Sequence, residues 1–209
     1  MLGVCRHSLC SIRSGSLQRR GFLNMFGNVQ KTHKGIHYVE QVEIGYTPKQ
    51  VFDVVSNVDE YKQFLKHVRD SKQYNYKAIT QKNDNLGNMQ PTAYMNADLE
   101  VGFPPFIEKY TSSIILRDPD YVRVEAEPSR LFTHLENIWE MKEGSVAKSC
   151  ILTFYVNFGF SNELYQKVAN TFFNLLVKTM TDSFEKRCNS KYGKPSVTTR
   201  IIKSETTYH

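Results

Sequence analysis

The chain has 209 residues, 40% of them hydrophobic, which is enough for one domain with a buried core. Its formal net charge of +6 comes from six Lys and Arg residues in the first 39 positions, where there is no Asp or Glu. The rest of the chain is electrically balanced, which excludes the basic surface typical of a nucleic-acid-binding protein. No run of about 18 apolar residues is present, which excludes a transmembrane helix.

Residues 1–34 have the composition of a mitochondrial transit peptide followed by a linker. They contain Arg and Ser but no acid, and charges interrupt their hydrophobic residues, unlike those of a secretory signal. Arg20-Gly21-Phe22 resembles the arginine-dependent cleavage sites of imported precursors, which predicts cleavage near 22/23. The alternative is a disordered basic tail. We expect the folded domain to span residues 35–190, and residues 191–209 to form a polar, frayed C-terminal tail.

The first part of the domain is predicted to form a strand and one or two short helices. His37–Ile44 alternates between apolar and polar side chains, which is typical of a strand. Thr47-Pro48-Lys49-Gln50 indicates a helix start, because Thr can cap, Pro suits the first helical position and Gln completes a capping box. Apolar residues from Val51 to Val58 then recur at helical spacing, and Asp59-Glu60-Tyr61 begins a second short helix or turn.

Six strands joined by short turns are predicted next. They span Val68–Thr80, Ala93–Phe103, Glu108–Leu116, Tyr121–Ala126, Leu135–Met141 and Cys150–Phe158. Asn83–Asn88 is a turn by composition. Within the second of these strands, apolar residues occupy every other position, so that they share one face. Strands connected by short turns pair antiparallel.

A long C-terminal helix is predicted from Asn162 to Arg187. Ser161 can cap it, Glu163 lies in its first turn, and basic residues lie in its last turn, which matches the helix dipole. Its apolar stripe is wider than the roughly 100° needed to face one sheet. Either the helix is simply well buried, or part of the stripe lines an apolar cavity between helix and sheet. The fold class is α+β, with a curved antiparallel sheet wrapped around the long helix.

The segment Phe103-Pro104-Pro105-Phe106-Ile107 is an unusually apolar hairpin tip. Prolines are tolerated there because a turn forms no central ladder bonds. Folding alone does not explain the apolar residues beside them, and an exposed apolar patch usually marks an interaction site. We therefore interpret the tip as a gate for an apolar ligand or as a foot that contacts a membrane. The alternative is that the loop folds back over the core.

The sequence contains no motif for catalysis or metal binding. No two histidines are spaced as metal ligands, and the nucleophile elbow, the P-loop and the dinucleotide loop are all missing. His134 is a candidate general base, but a lone His with no visible orienting partner is interpreted as structural. Cys150 and Cys188 are predicted to be reduced thiols in the core or the helix. No catalytic residue, metal or cofactor is predicted.

Four stretches carry a resemblance to a known family: LEVGFPPFIEKYTS, LFTHLENIWEM, VVSNVDEYKQFL and FFNLLVKTMTDSFEKR. They resemble the mitochondrial coenzyme Q-binding proteins of the START-like, polyketide-cyclase superfamily, over roughly Gly35 to Arg187. The resemblance implies a helix-grip fold with a hydrophobic tunnel under the C-terminal helix. It also implies binding of ubiquinone or its polyisoprenoid precursors, without catalysis, in support of respiratory electron transport and quinone synthesis.

The resemblance also implies a location and partners. The expected location is the matrix side of the mitochondrial inner membrane, as a peripheral protein, with quinone-synthesis or respiratory complexes as further partners. Two alternatives remain open. One is a cyclase or aromatase enzyme on the same fold, which would need an ionisable side chain of shifted pKa inside the cavity. The other is an assembly factor that uses its apolar tip to bind a protein of the quinone-synthesis complex.

The residues expected at the ligand are chosen from the resemblance and from which face they share. In the cavity they are Met95, Leu99, Val101, Phe132, Trp139, Phe154, Phe172, Phe173, Leu176 and Met180. At the gate or membrane contact they are Phe103, Pro104, Pro105, Phe106 and Ile107. We expect the quinone headgroup to meet polar groups near the mouth. For Trp139, an ordinary core position is the alternative.

Overall fold

An eight-stranded antiparallel sheet forms the largest part of the fold. The computed structural model describes residues 35–79, 93–103 and 106–208, with the backbone alone for residues 103, 106 and 164–178. The strands are β1 (Ile36–Ile44), β2 (Val68–Ala78), β3 (Ala93–Phe103), β4 (Phe106–Arg117), β5 (Tyr121–Ala126), β6 (Phe132–Glu143), β7 (Cys150–Phe160) and β8 (Arg200–Tyr208). Their order across the sheet is β2-β3-β4-β5-β6-β7-β1-β8. The predicted run of six sequentially paired strands is therefore confirmed.

The helices of the described residues lie between β1 and β2 and after β7. They are α1 (Pro48–Val55), a 3-10 turn (Val58–Glu60), α2 (Tyr61–Phe64) and α3 (Glu163–Tyr192). The capping box predicted at the start of α1 is confirmed. The Gln50 backbone N–H donates to Thr47 Oγ1 at 3.3 Å, and the Thr47 backbone N–H donates to Gln50 Oε1 at 2.9 Å.

The core lies between the sheet and the helices. Along β3 the inward side chains Ala93, Met95, Ala97 and Leu99 are all buried, as the alternation predicts. α1 packs against α3 and against β6, and its inward face is buried as well. Each fully buried aliphatic side chain contributes about 1.5–3 kcal/mol to folding, so this shared interior is the main source of stability.

The contacts that hold the C-terminal half of α3 to the fold include one buried ring and two polar contacts. Phe184 is buried, and its ring meets those of α2 and of β6. The Arg187 guanidinium lies 2.7 Å from Glu60, and Thr181 donates to Glu40 at 2.7 Å. These contacts connect α3 to β1, to β6 and to the short helices.

The C-terminal end differs from the prediction in two ways. α3 ends at Tyr192 rather than at Arg187, because the chain continues as helix until Gly193, which has a φ of +83°. Gly193 donates to the Asn189 carbonyl at 2.9 Å, as a glycine that ends a helix commonly does. The expectation of a frayed tail is wrong, because residues 200–208 pair with β1 as strand β8. β8 is an edge strand with mostly exposed residues, so it shows no apolar alternation.

The hairpin between β3 and β4 is longer than predicted. Phe103 pairs with Phe106, so β4 begins two residues before the expected Glu108. Phe103, Phe106 and Ile107 therefore belong to strands, and only two residues separate the strands. Those residues, Pro104 and Pro105, lie outside the described residues, and so does the turn predicted at Asn83–Asn88.

Candidate functional site

An apolar cavity of about 240 Å³ lies between the sheet, the short helices and α3. Strands β3 to β7 supply its sheet side, because every second residue of each strand points to the inner face. The 3-10 turn, α2 and the loop before β2 form one side, and residues 179–184 of α3 close another. The described lining is mostly aliphatic and aromatic, as ligand pockets usually are. Part of α3 therefore does face a cavity, as one of the two interpretations of its apolar stripe expected.

Six of the residues expected at the ligand line this cavity. They are Leu99, Val101, Phe132, Trp139, Phe154 and Met180. Met95 is 1% exposed and belongs to the core, but it is not among the lining residues. The side chains of Phe172, Phe173 and Leu176 lie outside the described residues. Contact of any of these residues with a ligand remains a prediction.

Aromatic rings mark the two ends of the cavity along β6. At one end the Trp139 ring centroid lies 4.3 Å from that of Phe154 and 4.9 Å from that of Phe184. At the other end, the Phe132 centroid lies 5.3 Å from Tyr110 and 5.3 Å from the last residue of β7. β6 begins at Phe132, on the side of the sheet where β3 ends and β4 begins. The cavity therefore extends along the sheet toward the β3–β4 tip.

Three polar side chains on the strands of the lining were not identified from the sequence as site residues. Asn137 Oδ1 accepts a hydrogen bond from Trp139 Nε1 at 3.2 Å. Ser112 is fully buried, and its Oγ has no hydrogen-bond partner among the described residues. Tyr110 lies two residues before Ser112 on the same face of β4. A sequence signal for Asn137 and Ser112 exists, because each is a polar residue at an inward position of an alternating strand.

The described lining contains four ionisable side chains. Burial raises the pKa of Tyr110 to about 12 and also raises the pKa of Tyr61. Both phenols therefore stay protonated near neutral pH, and the Tyr61 hydroxyl already donates to the Val55 carbonyl at 2.5 Å. Lys66 and His67 also line the cavity, and the described lining includes no Asp or Glu.

The remaining candidates from the sequence lie away from this cavity. His134 is not among the lining residues; its Nε2 lies 3.1 Å from Asn157 Oδ1 and its Nδ1 lies 3.1 Å from Thr133 Oγ1. Cys150 and Cys188 are free and buried, as predicted, and burial raises the pKa of each to about 12. Within the described ranges, no three His, Cys, Asp or Glu residues are grouped as metal ligands would be.

The β3–β4 tip presents an apolar side chain to solvent. Ile107 is 53% exposed, although most of the chain's large apolar side chains with described burial are covered. Phe103 and Phe106 pair across the hairpin beside it. None of the described helices is both long enough and apolar enough to cross a membrane.

Comparison with known proteins identifies related sequences and folds. The family described as polyketide cyclase/dehydrase and lipid transport matches residues 44–185. The mitochondrial coenzyme Q-binding protein COQ10 of Drosophila melanogaster is 32% identical over 182 residues, 86% of this chain and 69% of that protein. Its Xenopus laevis counterpart, homolog B, is 33% identical over 183 residues, 87% of this chain and 69% of that protein.

A solved structure of low sequence identity shares the fold. The Zhui aromatase/cyclase from Streptomyces sp. R1128 superposes with a TM-score of 0.58 at 10% identity, over 75% of this chain and 95% of that chain. At this identity the similarity concerns the fold alone. Together with the family match, it confirms the expected α+β helix-grip architecture.

Proposed function

We propose that this chain, which belongs to the coenzyme Q-binding proteins within the polyketide cyclase/dehydrase and lipid-transport family, binds ubiquinone or a polyisoprenoid precursor in its apolar cavity. The cavity is the observation that carries the proposal, because its walls are mainly aliphatic and aromatic. Each CH₂ group moved from water into such a space contributes ~0.8 kcal/mol. A polyisoprenoid therefore gains more from this site than a polar metabolite does.

The size of the cavity limits how much of the ligand it encloses. About 240 Å³ is below the ~300–1,000 Å³ typical of sites for drug-sized ligands. The space suits a quinone ring with the first part of its tail. The rest of a long tail would leave the cavity toward the β3–β4 tip, where it reaches the surface beside apolar side chains.

The proposed role is that of a carrier and not of an enzyme. The related proteins of Drosophila and Xenopus are named for binding coenzyme Q. In this chain, burial keeps the phenol of Tyr110 in the cavity lining protonated, so this group does not suit proton abstraction. A carrier with these features would shield the apolar ligand from water during respiration and quinone synthesis.

The proposed location is the matrix side of the mitochondrial inner membrane. Related proteins are named mitochondrial, and residues 1–34 would serve as a transit peptide and linker with cleavage near 22/23. The folded domain would begin at residue 35. The tip from Phe103 to Ile107 would rest on the membrane, where its apolar side chains enter the interface and the nearby end of the cavity receives the quinone.

Extraction of the purified protein tests the ligand. The full chain is expressed in a quinone-producing host, purified and extracted with solvent, and the extract is analysed by mass spectrometry. We expect ubiquinone or a polyisoprenoid precursor to co-purify. A ligand at 100 times its dissociation constant stabilises the folded state by ~2.7 kcal/mol, so added quinone should raise the melting temperature by about 5–10 °C. If nothing co-purifies and added quinone leaves the melting temperature unchanged, the proposal is wrong.

The same material separates the carrier from the two alternatives. A carrier returns the quinone chemically unchanged after incubation, whereas a cyclase or aromatase would return a product of different mass or unsaturation. An assembly factor would lose its protein partner when Phe103 and Phe106 are replaced by Asp, but would keep its quinone. If the same double variant loses membrane binding but keeps its protein partners, the result supports the carrier.

A matched pair of variants tests the membrane contact. Ile107→Asp places a charge on the tip, and we expect weaker binding to liposomes that contain anionic lipid, as for the double variant Phe103→Asp/Phe106→Asp. Val146→Asp is the control, because Val146 is 48% exposed and lies in the turn after β6, at the other end of the strands. Equal liposome binding by the Ile107 and Val146 variants would contradict the membrane role of the tip.

A further inference from the structure

The inward face of β6 carries one polar residue in an apolar row. Asn137 lies between Leu135 and Trp139 on this face. Its register partners on the neighbouring strands are Val124 of β5 and Val156 of β7. All of these residues line the cavity. A carboxamide in such surroundings is costly unless its polar atoms find partners.

The hydrogen bond with Trp139 fixes how the Asn137 amide is oriented. An indole N–H can only donate, so the atom that it contacts at 3.2 Å must be the amide oxygen. The amide NH₂ group is therefore the other end of the side chain. This NH₂ group donates no hydrogen bond to any of the described residues. Asn137 is half-buried, and its NH₂ group offers two donors to whatever occupies the cavity.

We propose that Asn137 donates a hydrogen bond to a ring oxygen of the quinone, so that the head enters the cavity first and lies beside Trp139. This inference rests on the proposed function. A quinone carbonyl or methoxy oxygen only accepts hydrogen bonds, and the amide NH₂ only donates them, so the two are complementary. A polyisoprenoid without a polar head would leave the NH₂ group unpaired, which makes Asn137 a specificity-determining residue for the head.

This orientation is opposite to the one expected from the sequence, which placed the head near the mouth. Asn137 lies five residues along β6 from Phe132, or roughly 17 Å from the tip end of the strand. The tail would then follow the cavity toward the tip and the membrane. Tyr110 packs on Phe132 at the tip end, and its hydroxyl is one group that would hold a head placed near the mouth; Lys66 and His67 also line the cavity on that side.

Two ligands that differ only in the head provide the assay. Decylubiquinone carries the ring oxygens, and decylbenzene has the same chain on a ring without oxygen. Trp139 is the only tryptophan of the chain and lines the cavity, so quenching of its fluorescence reports quinone binding. The affinity for decylbenzene is measured by displacement of the quinone and recovery of the fluorescence. We expect the wild-type protein to prefer decylubiquinone.

Four sets of variants test the role of Asn137. Asn137→Leu and Asn137→Ala remove the donor, and we expect about three- to tenfold weaker binding of decylubiquinone with unchanged decylbenzene binding. Asn137→Thr restores a donor and should recover part of the preference. Val124→Ala is the packing control, and it should weaken the binding of both ligands by the same factor. Tyr110→Phe should leave the preference intact. Circular dichroism and melting temperature confirm that each variant is folded.

The outcomes separate this inference from the function on which it rests. If the Asn137 variants lose the same factor of affinity for both ligands, Asn137 has only a packing role and the inference is overturned. Loss of preference in Tyr110→Phe, with none in Asn137→Leu, would place the head at the mouth and overturn it as well. A wild-type protein that binds both ligands equally overturns the inference alone. A wild-type protein that binds neither overturns the proposed function too.

Discussion

Truncation of Phe184 should release α3 from the fold at a large cost in stability. Phe184 is 4% exposed, and its ring centroid lies 5.4 Å from that of Tyr61, 5.3 Å from that of Phe64 and 4.9 Å from that of Trp139. Replacing a buried Phe by Ala costs about 3–5 kcal/mol. The neighbouring rings belong to α2 and β6 and cannot easily close the space, so we expect about 4 kcal/mol for Phe184→Ala.

Equilibrium unfolding in urea measures this cost, with Trp139 fluorescence and circular dichroism as independent probes. About 4 kcal/mol corresponds to a fall in melting temperature of about 8–16 °C for a domain of this size. Phe184→Leu keeps an apolar side chain but no ring, and should cost about 1–2 kcal/mol. Ile201→Ala is the surface control, because Ile201 is 64% exposed, and its cost should stay within about 0.5 kcal/mol. A cost below about 1.5 kcal/mol for Phe184→Ala would refute the view that this ring holds α3 in place.

Three further predictions concern pH, thiol reactivity and the end of α3. Hydrogen bonds from Ser145, together with Arg200, lower the pKa of Glu43 to about 2, so its contribution to stability is present above its unfolded pKa and is lost as the pH falls toward 2. In Glu43→Gln the urea midpoint should change less between pH 4.5 and pH 2 than in the wild type, and parallel curves would contradict this. Cys150 and Cys188 should resist alkylation at pH 8 until the protein unfolds, because burial raises the pKa of each thiol to about 12. Peptide mass spectrometry locates the modified residues, and rapid labelling of the native protein would disprove their burial. Gly193→Ala should cost about 1–2 kcal/mol through the φ of +83° alone, since no atom lies within 4 Å of the added Cβ, and an unchanged urea midpoint would argue against a left-handed residue there.

The alternation of side chains was sufficient to predict most of the sheet. In β3 the inward residues from Ala93 to Leu99 are buried in the order that the period of two predicts. The capping box before α1 was equally visible, because it depends only on residues three positions apart. These features are local, so the sequence contains all the information that they need.

Other elements depend on contacts that no local pattern shows. β8 forms because Arg200–Tyr208 pairs with β1, more than 150 residues away, and as an exposed edge strand it needs no apolar face. Met95 has the inward orientation that was predicted, but it does not line the cavity. A period of two shows which face a residue occupies and does not show where along a strand the helices leave space.

By itself, the sequence determined the fold class, the run of six sequentially paired strands, the capped first helix and the resemblance to coenzyme Q-binding proteins. Only the tertiary structure decided the extent and the lining of the cavity, the pairing of β8, and the surroundings of Asn137 from which its role is proposed. The position of Asn137 in an apolar row was visible in the sequence, but its importance depends on the hydrogen bond from Trp139 and on the open space beside its NH₂ group. The physical reason is that periodicity and caps arise between near neighbours in the chain, whereas a cavity exists only where distant elements pack and leave a gap between them.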